Sequence, residues 1–432
     1  MTGKAPRARS APKAYVIGAG LAGLSAATIL ASRGAQVEVI EAAGQAGGRC
    51  RSYFDAALDG VIDNGNHLVL SGNRAVQDYL QRIGAKNALA GPPRAEFAFV
   101  DLKDGARWVL RPNEGSLPYW ITSEKRRVPG TKAADYLRYA PLMWAGHKAR
   151  VDAVVHERGL LWQRLMRPFL LAALNTEPEE SSAHLAGTLL RETLAKGGGF
   201  YRPRIAHPTL AAAFVTPALK YLNDREGTLR LSTRLRGLVL GPREAMMLEI
   251  ADASLPVGPR DAVVLAVPPW AASDLIPGMT VPDDFRAIVN AHFKMAAPPS
   301  FSGKNGAPAM LGVIGGTAEW IFAFDDRISV TVSSADAIVD QDREDLASRI
   351  WADVAKALNI TEPMPPWQIV KEKRATFAAT PQQDARRPQP KTRWRNLFLA
   401  GDWTQTGLPA TIEGALRSGE AAAALALRHL AL

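Results

Sequence analysis

The chain is 432 residues long, with 52 Lys and Arg against 42 Asp and Glu, a net charge of +10, and 47% hydrophobic residues. That length suits about two to three domains with a cleft between them, and the composition is that of a soluble globular protein. One cysteine, Cys50, excludes a disulfide framework and a thiolate metal cage and fits a reducing compartment, and seven scattered histidines show no metal-ligand spacing. Residues 1–13 carry Lys4, Arg7, Arg9 and Lys13 and read as a disordered basic tail. The uncharged run Ala14 to Ser32 approaches the ~20 residues of a membrane span, but Gly18, Gly20 and Gly23 divide it into strand, turn and helix. The same spacing explains the segment better than a secretory signal does.

Tyr15-Val16-Ile17 is a short β-rich run, and Gly18-x-Gly20-x-x-Gly23 follows at once. Leu21 to Arg33 then repeats apolar residues at helical spacing as far as Gly34, a helix terminator, and Gln36 to Ile40 reads as a second strand. Gly18 permits the tight turn, Gly20 lets backbone approach a pyrophosphate, and Gly23 lets helix and strand pack closely. The first amides of the helix, from Leu21 and Ala22, then face the phosphates. Glu41, ending the second strand, suits an adenosine ribose and would repel a 2′-phosphate, which favours FAD or NAD over NADP.

After Glu41 and Ala42 the chain reaches Gly47-Gly48-Arg49. This run resembles the signature of the amine oxidase and phytoene desaturase superfamily of FAD enzymes. The resemblance implies that the glycines approach the cofactor's ribityl-diphosphate and that Arg49 neutralises phosphate charge. It implies too that the run Asp63-Asn64-Gly65-Asn66-His67 passes close to the flavin, with Asn64 and Gly65 in contact with it. Gly227 to Leu240 and Asp261 to Pro269 read as strands, the second of the fully buried parallel type; in the family such segments complete the cofactor domain, with backbone near Leu235 meeting adenine.

At the other end, Asn396 to Ala400 is an apolar strand, Gly401-Asp402 follows, and a helix is expected to begin near Ala410. Asp402 at a strand end can hold a ribityl hydroxyl. The helix start at Ala410, Thr411 and Ile412 points free amides and partial positive charge outward, which would stabilise a reduced flavin. The expected fold is therefore α/β: a discontinuous FAD-binding Rossmann-like domain of the glutathione-reductase and amine-oxidase type, from residues 14–75, 200–270 and 390–432. An inserted mixed α+β substrate domain takes residues 76–199 and 271–389.

Three runs narrow the resemblance: Ile62 to Leu68, Pro168 to Thr176, and Ala400 to Thr404 leading to Leu408 to Gly414. Together, and with Glu319-Trp320-Ile321-Phe322 and Ser333-Ser334-Ala335 as a looser match, they are similar to the bacterial squalene-associated FAD family, the hydroxysqualene dehydroxylases of hopanoid biosynthesis. Asn66 stands where that family has Gln, and Cys50 where Ser or Thr is usual. The resemblance implies reductive loss of an allylic hydroxyl from a C30 isoprenoid alcohol, with hydride from reduced FAD. Such chemistry needs a proton donor, for which His67 and Asp63 are the candidates, and a dry apolar tunnel. Trp120, Trp144, Trp162, Phe169, Trp320, Phe322 and Phe324 supply material for the tunnel. No second nucleotide unit is found, so an external electron donor is expected, with the upstream hydroxysqualene synthase as a candidate partner. Nucleic acid is not expected, and no metal site is.

Tyr136 to Arg150 and Leu160 to Leu174 mix Trp, Leu, Met and Phe with Arg and Lys and suit peripheral contact with the inner face of the cytoplasmic membrane. A cytoplasmic location follows. The alternatives left open are an oxidative polyene desaturase, an amine oxidase, and a prenyl-lipid carrier using the fold without redox chemistry. The carrier is disfavoured by the intact glycine-arginine and C-terminal motifs. An amine oxidase would want two aromatic rings around the amine, and Trp403 is the only aromatic evident in Gly401 to Gly414.

Overall fold

The computed structural model describes residues 12–251, 253–301 and 309–432. The expected basic tail lies outside the described residues as far as position 11, and Lys13 already belongs to the first strand. Five short parallel strands form one sheet, in the order Thr228–Arg230, Gln36–Ile40, Lys13–Ile17, Ala262–Leu265, Leu397–Leu399. Ala262–Leu265 is buried along its whole length and parallel to both neighbours, which is why its sequence, AVVL, is apolar without alternation.

The first helix, Leu21–Ser32, ends where the Ala35 amide reaches back to the Leu30 carbonyl at 3.2 Å, with Gly34 at φ +83°, as the sequence predicts. Against it lies the long C-terminal helix Ile412–Leu430. The approach is close: Ser25 Oγ donates to the Leu416 carbonyl at 3.1 Å, and a Cβ added to Gly419 would stand 2.3 Å from the Ala22 carbonyl oxygen. Both chain ends thus build one layer over one sheet.

The stretch expected as one strand from Gly227 to Leu240 is two. Thr228–Arg230 joins the parallel sheet, and Leu235–Leu240 enters a separate three-stranded antiparallel sheet. The break falls at Ser232, at φ +51°, where the Ser232 and Thr233 amides turn aside to bond the Ala43 and Glu41 carbonyls at 2.9 and 2.8 Å.

A second, seven-stranded sheet runs in the order Trp367–Phe377, Phe285–Phe293, Ile328–Val332, Trp320–Ala323, Ala309–Ile314, Phe97–Asp101, Arg107–Leu110. One face, carrying Val289, Ala291, Ile321 and Val330, is sealed by Leu346, Ile350 and Val354 of the helix Arg343–Leu358. The opposite face looks toward the hairpin Ser52–Asp55 and Gly60–Asp63 and the loop after it. Short helical turns fill most of residues 119–196. Among the described residues, no helix is long and apolar enough to cross a membrane.

Candidate functional site

The glycine loops of the N-terminal third form one surface. Gly20 caps Leu21–Ser32 without any side-chain cap, no acid occupies the first helical turn, and a Cβ on Gly20 would meet nothing within 4 Å. A helix start left open in this way suits an anionic group. Gly23 has the opposite surroundings, since a Cβ there would lie 1.9 Å from the Gly18 carbonyl oxygen. The Gly47 amide donates to the Ala19 carbonyl at 2.8 Å, and Gly48 comes against Gly20, so both glycine runs border the same space. Glu41 spans them: its carboxylate accepts from the Ala19 amide at 2.7 Å and the Ala43 amide at 2.8 Å, beside exposed Ala42.

The C-terminal motif meets this surface directly. Arg49 Nη2 donates to Asp402 Oδ1 at 2.7 Å, and its other terminal nitrogen donates to the Ala375 carbonyl. Burial works against the Arg49 charge, but the Asp402 carboxylate outweighs that and raises its pKa. Asp402 is buried while the Arg49 side chain remains 43% exposed, so the pair does not enclose the arginine completely. The turn bearing Asp402 is pinned from behind by Arg387, which donates to the Asp402 and Thr404 carbonyls and to Thr406 Oγ1 and pairs with Asp384 at 2.9 Å. Arg387 and Asp384 are not marked in the sequence, because nothing there distinguishes the buried Arg387 from its neighbour Arg386. The helix expected near Ala410 begins at Ile412 because Thr411 is its cap, with Oγ1 accepting from the Gly414 amide at 3.0 Å. Leu235 is buried at the start of its strand, two residues past Thr233, whose amide bonds Glu41.

Asn64 to His67 cross the open face of the seven-stranded sheet, which carries polar side chains. Asn290 and Thr331 stand opposite each other on adjacent strands, with Thr331 Oγ1 donating to Asn290 Oδ1 at 2.8 Å; His292 and Ser329, two residues along, form the next polar pair. Asn66 Nδ2 donates to Thr331 Oγ1 at 3.1 Å. A Cβ on Gly65 would come within 2.8 Å of Asn290 Nδ2, so glycine there serves the loop's close approach to the sheet. Asn64 reaches Glu372 at 3.4 Å. Asn290, Thr331 and Glu372 carry the same lesson; the available signal was the polar pair Asn290 and His292 at period two inside the otherwise apolar run Ala287 to Phe293. One amide atom of Asn66, Oδ1, is buried without a partner among the described residues, a polar group still owed a hydrogen bond.

The two acid candidates differ. Asp63 is buried, and its Oδ1 accepts from Ser52 Oγ at 2.5 Å and from the Leu210 amide at 2.9 Å, joining the hairpin to the helical segment that follows. Burial raises its pKa, with these two bonds opposing. His67 was expected to titrate nearest neutrality. Instead, burial and the neighbouring Arg49 guanidinium push it down to about 4, although its ring also bonds the Arg49 backbone, so it is neutral at pH 7. Burial pushes the Cys50 thiol up to about 12, leaving an inert apolar filler.

Of the aromatic residues offered as tunnel material, Trp320 is half-buried and Phe322 and Phe324 pack with Ile205 in a small separate cluster. Ile205 pairs with Leu68, the residue after His67. Trp120 and Trp162 lie in the main core, with Phe169 packed against it. Trp144 is 76% exposed and lines no interior space.

The family model described as flavin containing amine oxidoreductase matches residues 21–427. A protein of Sinorhizobium fredii named hydroxysqualene dehydroxylase is 52% identical over 96% of this chain and 98% of its own length. One of the same name from Rhodopseudomonas palustris is 52% identical over 96% and 98%. Among solved structures, a putrescine oxidase variant superposes with a TM-score of 0.70 at 17% identity, covering 96% of this chain and 99% of the oxidase, a likeness of fold alone.

Proposed function

The chain belongs to the flavin-containing amine oxidoreductases and, within them, to the hydroxysqualene dehydroxylases, and from that premise we propose the following reading of its site. The protein is an FAD-dependent oxidoreductase that removes the hydroxyl of hydroxysqualene reductively to give squalene and water. Bound and reduced, FAD supplies the hydride equivalent. Gly18, Gly20, Gly23 and the amides of Leu21 and Ala22 would hold the diphosphate, with Glu41 and Ala42 at the ribose and Leu235 at the adenine. Gly47, Gly48, Arg49, Asn64, Gly65, Gly401, Asp402, Ala410, Thr411 and Ile412 would surround the ribityl chain and ring. The observation that carries this reading is the junction of both chain ends at Arg49 and Asp402, beside a sheet face that passes from polar at Asn290 and Thr331 to apolar at Trp320 and Phe322.

On this reading the chain's own residues orient the cofactor, exclude water and manage the proton. His67, held neutral, serves as a hydrogen-bonding group beside Arg49. Asp63, already engaged by Ser52 and Leu210, serves by holding the loop that carries His67. The reductant is external, delivered by a separate donor, and the synthase that makes the alcohol is a natural neighbour. Peripheral contact with an anionic bilayer through residues 117–160 gives a substrate of this hydrophobicity a route that avoids water. Leu117, Tyr119, Leu137 and Trp144 are exposed there, in a stretch with eight basic and four acidic side chains.

Product analysis tests the reading. The purified FAD enzyme, with dithionite as reductant, is expected to convert hydroxysqualene to squalene, and the oxidised enzyme to leave squalene, phytoene and amines untouched. Oxidation of a polyene or an amine without squalene formation would assign it to the desaturases or the amine oxidases instead.

A further inference from the structure

Glu319 immediately precedes the strand Trp320–Ala323. Its Oε2 accepts from the Ser333 amide at 2.7 Å. Protein surrounds it closely, and part of its surface remains accessible, as does part of half-buried His67. No cation among the described residues lies within ion-pair distance. The charged groups that act on it are Arg167 and Glu177, and these are engaged with each other at 2.6 Å. A carboxyl in the interior without a cation is costly and uncommon, and such groups concentrate where chemistry needs them.

Its position is fixed with respect to the cofactor surface. The amide of Ser334, next to Ser333, donates to Asn175 Oδ1 at 2.7 Å, and Asn175 Nδ2 donates to Thr376 Oγ1 at 2.9 Å. Thr376 follows Ala375, whose carbonyl takes Arg49. On the other side, Trp320 pairs directly with Thr331, so both side chains share the face that receives Asn66. Glu319 therefore sits at one end of the sheet face that the Asn64 to His67 loop crosses, joined to Arg49 through a short chain of hydrogen-bonded residues.

We propose that Glu319 is the proton donor to the departing hydroxyl, placed next to Trp320 at the end of that sheet face. The proposal rests on the dehydroxylase reading. As the carbon–oxygen bond breaks, its electron pair stays on oxygen and the Glu319 proton joins it, so that water leaves and a carboxylate remains. Bound reduced flavin would supply the hydride, two electrons with H+, to the allylic carbon in balance with its own oxidation by two electrons, and the second proton released in that oxidation would restore the Glu319 carboxyl. Burial supports the assignment by pushing the carboxyl up to about 7, with the Ser333 bonds and Arg167 only partly opposing it, whereas His67 is neutral at that pH and has no proton to spare.

The test uses the FAD holoenzyme and its Glu319→Gln and Glu319→Asp variants, with bound flavin measured by absorbance. Anaerobic mixing of reduced enzyme with hydroxysqualene is expected to show a rate lowered about 100-fold in E319Q, within the usual range for loss of a general acid, and partly restored in E319D. An analogue with chloride in place of the hydroxyl leaves without a proton, and E319Q is expected to match the wild type on it. Infrared difference spectra of the substrate-free enzyme are expected to show a protonated carboxyl band at pH 6 that fades by pH 8.5 and is missing from E319Q. Equal rates of E319Q and wild type on the alcohol, or equal losses on alcohol and chloride, would overturn the proposal. If E319Q fails to hold flavin, the infrared band decides from the wild type alone, and its absence at pH 6 overturns the assignment. A wild type that makes no squalene at all would refute the dehydroxylase reading instead.

Discussion

Arg49 and Asp402 are 353 residues apart in the chain and 2.7 Å apart in space. The pair joins the turn after the second strand to the turn after the last, and Arg387 holds the latter from within. Removing either partner leaves the other charge with less support than before. Asp402→Ala leaves Arg49 without its counter-ion and removes the carboxylate proposed to hold a ribityl hydroxyl, and Arg49→Ala leaves Asp402 buried and unpaired. Each is expected to weaken FAD binding about tenfold or more, charge-assisted bonds being the stronger kind, as measured by flavin fluorescence quenching on titration of the apoprotein. Wild-type affinity in both variants would remove the pair from the cofactor site.

Gly23→Ala places a methyl group 1.9 Å from a backbone oxygen that cannot swing away, so the helix must shift from the first strand. A loss of about 3 kcal/mol, the upper end for overpacking, is expected in denaturant unfolding, together with a protein purified without flavin. Gly20→Ala, where the added carbon meets open space in the protein, is expected to fold normally and to lose FAD affinity only.

Two groups should make stability depend on pH in opposite senses. His67 is depressed from 6.5 to about 4, so between those values the unfolded chain binds a proton that the folded chain refuses, and stability falls as pH drops through this window. Glu319 is raised from 4.5 to about 7, so its contribution is full below 4.5 and is lost as pH rises to about 7. His67→Gln is therefore expected to flatten the acid side of a Tm-against-pH curve. E319Q is expected to gain stability relative to the wild type at pH 8 and not at pH 4.5. Parallel curves for wild type and variant would contradict the assignment concerned.

The exposed apolar side chains of residues 117–160 are expected to carry membrane contact. Leu137→Ser combined with Trp144→Ser should reduce cosedimentation with anionic liposomes about tenfold while leaving turnover in detergent unchanged, and wild-type binding should weaken as salt shortens the screening length. Cosedimentation equal with and without lipid would remove this surface from the account.

The parts of the site that depend on local backbone were legible in the sequence. Gly18 to Gly23, the helix ending at Gly34 and the strand Gln36–Ile40 fall where the spacing puts them, because tight turns and parallel strands restrict residue type within a few positions. The buried strand Ala262–Leu265 was legible for the same reason. What was not legible depends on contacts across long stretches of chain. The turn at Ser232 is set by bonds to Glu41 and Ala43, and no propensity of its own marks it. The His67 protonation state depends on its burial and then on Arg49, and the polar floor at Asn290 and Thr331 is defined only once two strands pair. Glu319 stood in a recognised run, but its isolation from cations is a property of the packed protein.

The most direct measurement is a single turnover. Enzyme reconstituted with FAD is reduced anaerobically, mixed with one equivalent of hydroxysqualene, and followed by flavin absorbance and by mass spectrometry of the lipid. One squalene formed for each flavin reoxidised is the predicted result. A flavin that stays reduced, or is reoxidised without squalene appearing, would contradict the account.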